Sequence, residues 1–186
     1  MNLPRLLLVT DRSQLPEGRT LAATIAAAKD AGLTHVLLRE LDLARRNREL
    51  LAQSLHELGL TIIAAHTKVR GCVGVHLPAG KRSSRIEVWG RSCHSPDEVL
   101  LAQRDGARWA TLSPFAASAS KAGYGPALPP EAFDGHGIPV FALGGIDAGN
   151  AADAVAAGAH GVAVMGAVMR ADDPAGVVAD LLEAVR

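Results

Sequence analysis

Apolar residues in this chain gather into short runs at residues 6–10, 35–39, 61–65, 74–77, 109–112, 140–143 and 161–165, and residues 87–94 read as a further, more polar strand among them. Runs of four to eight without polar alternation predict strands covered on both faces. The segments between them read as helices. Thr20 caps residues 21–31 and Gly32 closes them, and residues 44–58 stop at Gly59. Ser95-Pro96 opens a helix with Asp97 and Glu98 in its first turn, which ends before Gly106. Residues 150–159 and 175–185 complete the set, and residues 130–133 allow a short helix at most. The stretches 66–72 and 79–85 are too short or too polar for a full helix. Eight strands alternating with helices predict an α/β fold, a (βα)8 TIM barrel with shortened helices after strands three and four. An open doubly wound sheet is the competing arrangement. No linker or repeat divides the chain, so residues 1–186 are expected to form a single barrel domain.

The last two strands end in the same way. Residues 140–143 stop at Gly144-Gly145, and residues 161–165 stop at Gly166-Ala167, with a helical stretch between. Glycine at the carboxyl end of a parallel strand lets backbone N–H groups approach a ligand, and the next helix directs its positive end to the same spot. Two such units in tandem at the end of a barrel predict a phosphate grip at Gly144, Gly145, Gly166 and Ala167. Simple turns are the plainer reading.

Composition narrows the class. Of 186 residues, 48% are hydrophobic and 20% charged, which fits a globular domain, and only 3% are aromatic, which fits close helix–sheet packing. Nineteen basic residues balance nineteen acidic ones, so no nucleic-acid surface is expected. No apolar run reaches the ~20 residues that span a bilayer, and the N-terminus lacks a signal-peptide pattern. A cytoplasmic location is expected, with no membrane partner. Cys72 and Cys93 lack a metal-type spacing and read as reduced thiols. The oligomeric state is open, a homo-oligomer included.

In a barrel the active site lies at the carboxyl ends of the strands. Thr10, Arg39, Glu40, His66, His76, Ser92, His94, Ser113, Ser118, Ser120 and Lys121 fall there. His94 is the candidate for proton transfer, because imidazole titrates near neutrality; a structural histidine is the alternative. Arg39 can clamp a carboxylate or phosphate, or pair with Glu40 or Asp42. Ser118, Ser120 and Lys121 sit in a small-residue loop that either closes over an anion or lies on the surface. His76, between Val75 and Leu77, reads as a core histidine. His35, His56, His136 and His160 fall away from the mouth. Strands three and four end without Asp or Glu, so no metal site is expected.

Seven segments in order carry a family likeness: LLLVTDR at residues 6–12, LLRELD at 37–42, GVHLPAG at 74–80, GRSCHS at 90–95, SPFAASASK at 113–121, FALGGI at 141–146 and GVAVMGAV at 161–168. The chain resembles the thiamine phosphate synthase superfamily, whose fold is (βα)8. That superfamily holds two activities. The synthase couples hydroxymethylpyrimidine diphosphate to thiazole phosphate with magnesium. Its pattern has a lysine where this chain has Leu41, Asn-Asp where it has Ala65-His66, and an aspartate that Ala79-Gly80-Lys81 does not supply. Ser118 and Ser120 stand for its threonines, and Lys121 is kept. The thiazole tautomerase lacks those metal ligands and carries Leu-Pro-x-Gly and Gly-Arg-Ser-x-His-Ser, matching residues 77–80 and 90–95. The histidine of the second motif also occurs in synthases. The resemblance implies an isomerase of thiamine biosynthesis that aromatises a thiazole carboxylate phosphate tautomer. On this reading His94 is the acid/base group. Arg39, Ser92, Ser118, Ser120 and Lys121 bind the substrate, Gly144, Gly145, Gly166 and Ala167 hold the phosphate, and no cofactor is needed. The alternatives are the synthase itself, with Mg2+, or a non-catalytic binder of thiazole phosphate.

Overall fold

A computed structural model describes residues 2–83, 85–117 and 126–186. Eight parallel strands close into a barrel in sequence order, and the first pairs with the last through Leu6–Val162, Leu7–Ala163 and Leu8–Val164. The strands are β1 (Leu6–Val9), β2 (His35–Leu38), β3 (Thr61–Ala65), β4 (Gly74–Leu77), β5 (Trp89–Cys93), β6 (Trp109–Leu112), β7 (Val140–Leu143) and β8 (Gly161–Val164). The helices are α1 (Leu21–Asp30), α2 (Arg45–Glu57), α3 (Pro96–Arg104), α4 (Ala151–Ala156), α5 (Gly166–Met169) and α6 (Pro174–Ala184). Among the described residues, no helix is long and apolar enough to cross a membrane.

The strands are nearly continuous apolar runs because both faces are covered. Leu6, Leu8, Val36, Leu38, Ile62, Ala64 and their equivalents pack outward beneath the helices. Leu7, Val9, Leu37, Ile63, Ala65, Trp109, Phe141 and Ala163 form a second cluster inside the barrel. Leu7, Ile63, Trp109 and Phe141 are at most 1% exposed and fill its lower part. Trp109 fits there because the neighbouring strands give way. A Cβ on Gly90 would fall inside contact distance of the indole, and one on Gly74 would lie 3.3 Å from it. Small residues opposite a large one are how barrel interiors fill without voids.

Caps hold the helices where the sequence places them. Thr20 accepts the Ala23 N–H at 3.2 Å, Ser95 accepts the Glu98 N–H at 3.2 Å, and Asp173 accepts the Gly176 N–H at 3.0 Å. The last helix therefore begins at Pro174, one residue earlier than the pattern suggests. Two short elements escaped the sequence reading, a 3-10 turn at Arg12–Gln14 and the single turn α5. Among the described residues, no helix stands between β3 and β4 or between β4 and β5. In place of a covering helix, the buried Arg48 of α2 reaches across, donating to the Ala65 carbonyl at 2.7 Å and the Thr67 hydroxyl at 3.2 Å.

Candidate active site at the barrel mouth

Strand alternation builds the site in layers. Two residues above the floor of Leu7, Ile63, Trp109 and Phe141 stand the inward positions Val9, Ala65, Thr111 and Leu143, with His76 and Ser92 in the same layer. Two residues further, past the strand ends, come His94, Ser113 and Gly145. The segment from Gly90 to Ser95 divides its labour by the same alternation. Arg91 points outward, 3% exposed, and donates to Asp105 at 2.8 Å, the Lys81 carbonyl at 3.1 Å and the Glu98 carbonyl at 3.3 Å. Cys93 also points outward into the core, where burial pushes its thiol up to about 11 and keeps it protonated.

Among the described residues, His94 is held through its backbone and its ring. Its backbone N–H donates to the Glu98 carboxylate at 2.7 Å, and Nδ1 lies 3.2 Å from the Ser113 carbonyl and 3.1 Å from its Oγ. A carbonyl only accepts, so Nδ1 carries the proton in the neutral ring and Nε2 the lone pair. Glu98, read from sequence as a first-turn charge, thus also fixes the histidine. The signal was the Ser95-x-x-Glu98 spacing of a capping box.

The glycine turn adjoins this histidine. A Cβ on Gly144 would lie 3.2 Å from Pro114 Cα and 3.7 Å from Ser113 Cβ, so one residue, Ser113, touches both His94 and the turn. Gly144 and Gly145 have φ of +90° and +69°. A side chain at Gly145 would also come within 2.5 Å of the carbonyls of Ala116 and Ala117, so only glycine fits. The carbonyls of this turn are bound within the protein. Leu143 accepts from Phe115 at 3.0 Å, Gly144 from Ala116 at 2.9 Å and Gly145 from the Asn150 amide at 2.7 Å. Gly166 and Ala167 open α5, where first-turn amides have no acceptor in their own helix. The Arg170 guanidinium packs against Gly166 and bonds Gln14, a cation beside the expected phosphate grip that sequence reasoning missed.

Arg39 is at the rim as expected, but its partner differs from the expected pair. Nη1 lies 3.5 Å from Asp11, while Arg12 takes Glu40 at 2.9 Å and also Asp42. Burial raises the Asp11 carboxyl, but bonds from Ser13 and Gln14 and the Arg39 charge outweigh it and leave it below the ordinary range. The Arg39 amide donates to Thr10 Oγ1 at 2.9 Å, tying β2 to β1. These side chains line a cleft of about 660 Å3 beside the mouth. Ser118, Ser120 and Lys121 lie outside the described residues.

Ser92 stands lower, half-buried, with Oγ 3.1 Å from His76 Nε2. His76 is 4% exposed, its Nε2 lies 3.2 Å from Thr111 Oγ1, and its Nδ1 accepts from Trp109 Nε1 at 3.0 Å. Burial lowers its pKa to about 3, with a smaller contribution from His66. The core histidine expected at this position is therefore a neutral, fully engaged one.

The donor set does not fit a magnesium ion. Among the described residues, no three His, Cys, Asp or Glu side chains come together to hold a metal. The ends of β3 and β4 carry Ala65-His66 and Pro78-Ala79-Gly80, and the carboxylates of Asp11 and Glu40 in the neighbouring cleft are engaged by arginines.

The thiamine monophosphate synthase family model, TMP-TENI, matches residues 6–168. A thiamine-phosphate synthase of Chloroflexus aurantiacus is 35% identical over 91% of this chain and 87% of its own length. One of Albidiferax ferrireducens is 34% identical over 91% and 86%. A thiamine phosphate pyrophosphorylase structure from Pyrococcus furiosus superposes with a TM-score of 0.82 at 22% identity, over 97% of this chain and 95% of that one, which speaks to the fold. With a family match over most of its length, and relatives above 30% identity along nearly all of it, the chain belongs to the thiamine monophosphate synthase family.

Proposed function

We propose that this protein is an enzyme of thiamine biosynthesis that binds a small heterocyclic phosphate at the barrel mouth. The observation that carries the reading is the contiguity of His94, Ser113 and the Gly144-Gly145 turn, a proton-transfer group beside a backbone anion grip. Between the two reactions of such a mouth, the names of the relatives support a transferase that couples a pyrimidine diphosphate to thiazole phosphate. This chain departs from that reading in its donor set. A leaving diphosphate would meet Arg39, not a carboxylate-held cation.

That departure favours a second reading, the isomerase. A thiazole carboxylate phosphate tautomer needs one proton moved to become aromatic, and aromaticity supplies the driving force. His94, with Nδ1 anchored on Ser113, takes the proton from the saturated ring carbon at Nε2 and returns it to the substrate outside the ring, which leaves the ring aromatic. Arg39 and Lys121 hold the carboxylate, and neither a metal nor an organic cofactor is needed. One preparation tested in both reactions decides. Diphosphate release that requires magnesium assigns the transferase. An ultraviolet change on aromatisation that persists in chelator assigns the isomerase. Tight thiazole phosphate binding without turnover in either assay removes both and leaves a binding protein.

A further inference from the structure

We infer that Glu98 is a positioning residue for the proton-transfer histidine: its carboxylate sets the direction in which His94 leaves the barrel, and with it the ring nitrogen that is turned to the ligand. The inference rests on the reading of His94 as the acid/base group. The sheet shows why His94 needs such a hold. The Val88 carbonyl accepts the Val75 N–H at 3.1 Å, so alternate positions from Val88 to His94 turn their backbone groups to the β4 side. The Cys93 carbonyl accepts from Ser113 at 3.1 Å, on the β6 side. His94 therefore directs its N–H towards β4. That strand ends at Leu77, whose partner is Arg91, so it stops short of His94. A backbone donor past the end of the ladder needs another acceptor. The half-buried Glu98 supplies it at 2.7 Å, the length of a charge-assisted bond.

Glu98 is itself fixed from β5. Its carbonyl accepts from Arg91 Nη2 at 3.3 Å, while Arg91 Nη1 takes Asp105, the C-cap of α3, at 2.8 Å. One buried guanidinium thus holds both ends of the helix against the strand that carries His94. The contacts close a ring, from Arg91 to the Glu98 carbonyl and from the Glu98 carboxylate back to the His94 N–H. The helix cap alone does not ask for this carboxylate. Thr20 and Asp173 cap α1 and α6 as Ser95 caps α3, and there the third helical residue is Ala23 or Gly176. With its backbone held, His94 places Nδ1 on the Ser113 carbonyl and hydroxyl, which leaves the lone pair on Nε2. A ring that turned freely would offer the protonated nitrogen as often as the basic one. Glu98 so acts on the proton-transfer step and not on the binding of phosphate.

Nitrogen-15 histidine spectra of the ligand-free protein read the ring without any substrate. His94 should be an Nδ1–H tautomer in the wild type and in Glu98→Gln, whose amide oxygen still accepts the His94 N–H. In Glu98→Ala it should become an exchanging mixture; a tautomer that stays fixed there overturns the inference. Turnover is then followed in whichever of the two reactions the wild type performs. Glu98→Ala should lower kcat by roughly 10- to 100-fold, with thiazole phosphate affinity within about twofold of the wild type, and Glu98→Gln should recover most of the loss. Ser95→Ala is the control for the helix. It removes the cap but leaves the carboxylate, so it should lower the melting temperature and keep kcat within about threefold. Equal losses of kcat in Ser95→Ala and Glu98→Ala would reduce Glu98 to a part of the cap and overturn the inference. If Glu98→Ala does not fold, Glu98→Asp, one methylene too short to reach His94, takes its place. A wild type that turns over neither substrate sinks the functional reading, and the spectra still decide whether Glu98 sets the ring.

Discussion

At the scale of single residues, two histidines of opposite character sit within one barrel. His94 is half-buried and anchored through Nδ1, so on the proposed isomerase reading His94→Ala should cost roughly 10²–10⁴-fold in rate while the proposed binding of thiazole phosphate at the glycine turn persists. Binding by calorimetry beside single-turnover rates checks this, and a near-wild-type rate would remove His94 from the chemistry. His76 is buried neutral, with its pKa lowered to about 3. Between about pH 6.5 and 3 the unfolded chain binds a proton here that the folded chain does not, so stability is full above this window and falls as the pH drops through it. The slope should approach about 1.4 kcal/mol per pH unit. Urea melts at pH 7 and pH 5 should show the loss in the wild type and lose most of it in His76→Gln; identical slopes would place the acid sensitivity elsewhere. Sequence placed both residues correctly, one at a strand end and one between apolar neighbours. The link from His76 to Trp109 was illegible because the two stand 33 positions apart and meet only through barrel closure. For the same reason the pairing of Arg39 was misjudged. Its adjacent carboxylates, Glu40 and Asp42, are claimed by Arg12 from another loop.

Single elements are best judged by β5 and the helix that follows it. The strand was legible by its place between helices, but the reading overshoots at both ends. Residues 87–94 were expected, and Trp89–Cys93 pair with neighbours. His94 falls beyond the ladder because Glu98 captures its backbone N–H. Arg91 shows what the motif holds besides the site, since its guanidinium binds α3 through Asp105 and the β4–β5 connection through Lys81. Removing one partner of a buried ion pair costs far more than replacing the pair by apolar groups. Asp105→Ala should therefore destabilise by roughly 3 kcal/mol in denaturant melts, and Arg91→Met in that background should recover much of it. A loss under about 0.5 kcal/mol for the single change would mean that the two carbonyls alone satisfy Arg91.

For the whole molecule, strand number, order and parallel direction followed from eight short strand stretches, most of them apolar, alternating with helices. Closure itself, β8 on β1, carries no local mark in either strand, because it is a property of the ring. The two helices missing after β3 and β4 among the described residues were expected only as shortened ones, from segments too short to hold full helices. Their absence gives the ring a kinetic direction. β3, β4 and β5 are joined by residues 66–73 and 78–88 alone, whereas β1 and β8 meet only when the two ends of the sheet come together. Loop-closure entropy grows with the length closed, by about 0.6 kcal/mol per doubling, and non-local pairings are the slow ones. Refolding should begin with the β3–β5 sector and end with the seam between β8 and β1. Pulse-labelled exchange would show amides of Val75 and Leu77 protected ahead of those of Leu8 and Val164, and simultaneous protection would mean a ring that closes all at once. The shortest connections, which look like losses from the barrel's wall, would then be the place where it starts to be a barrel.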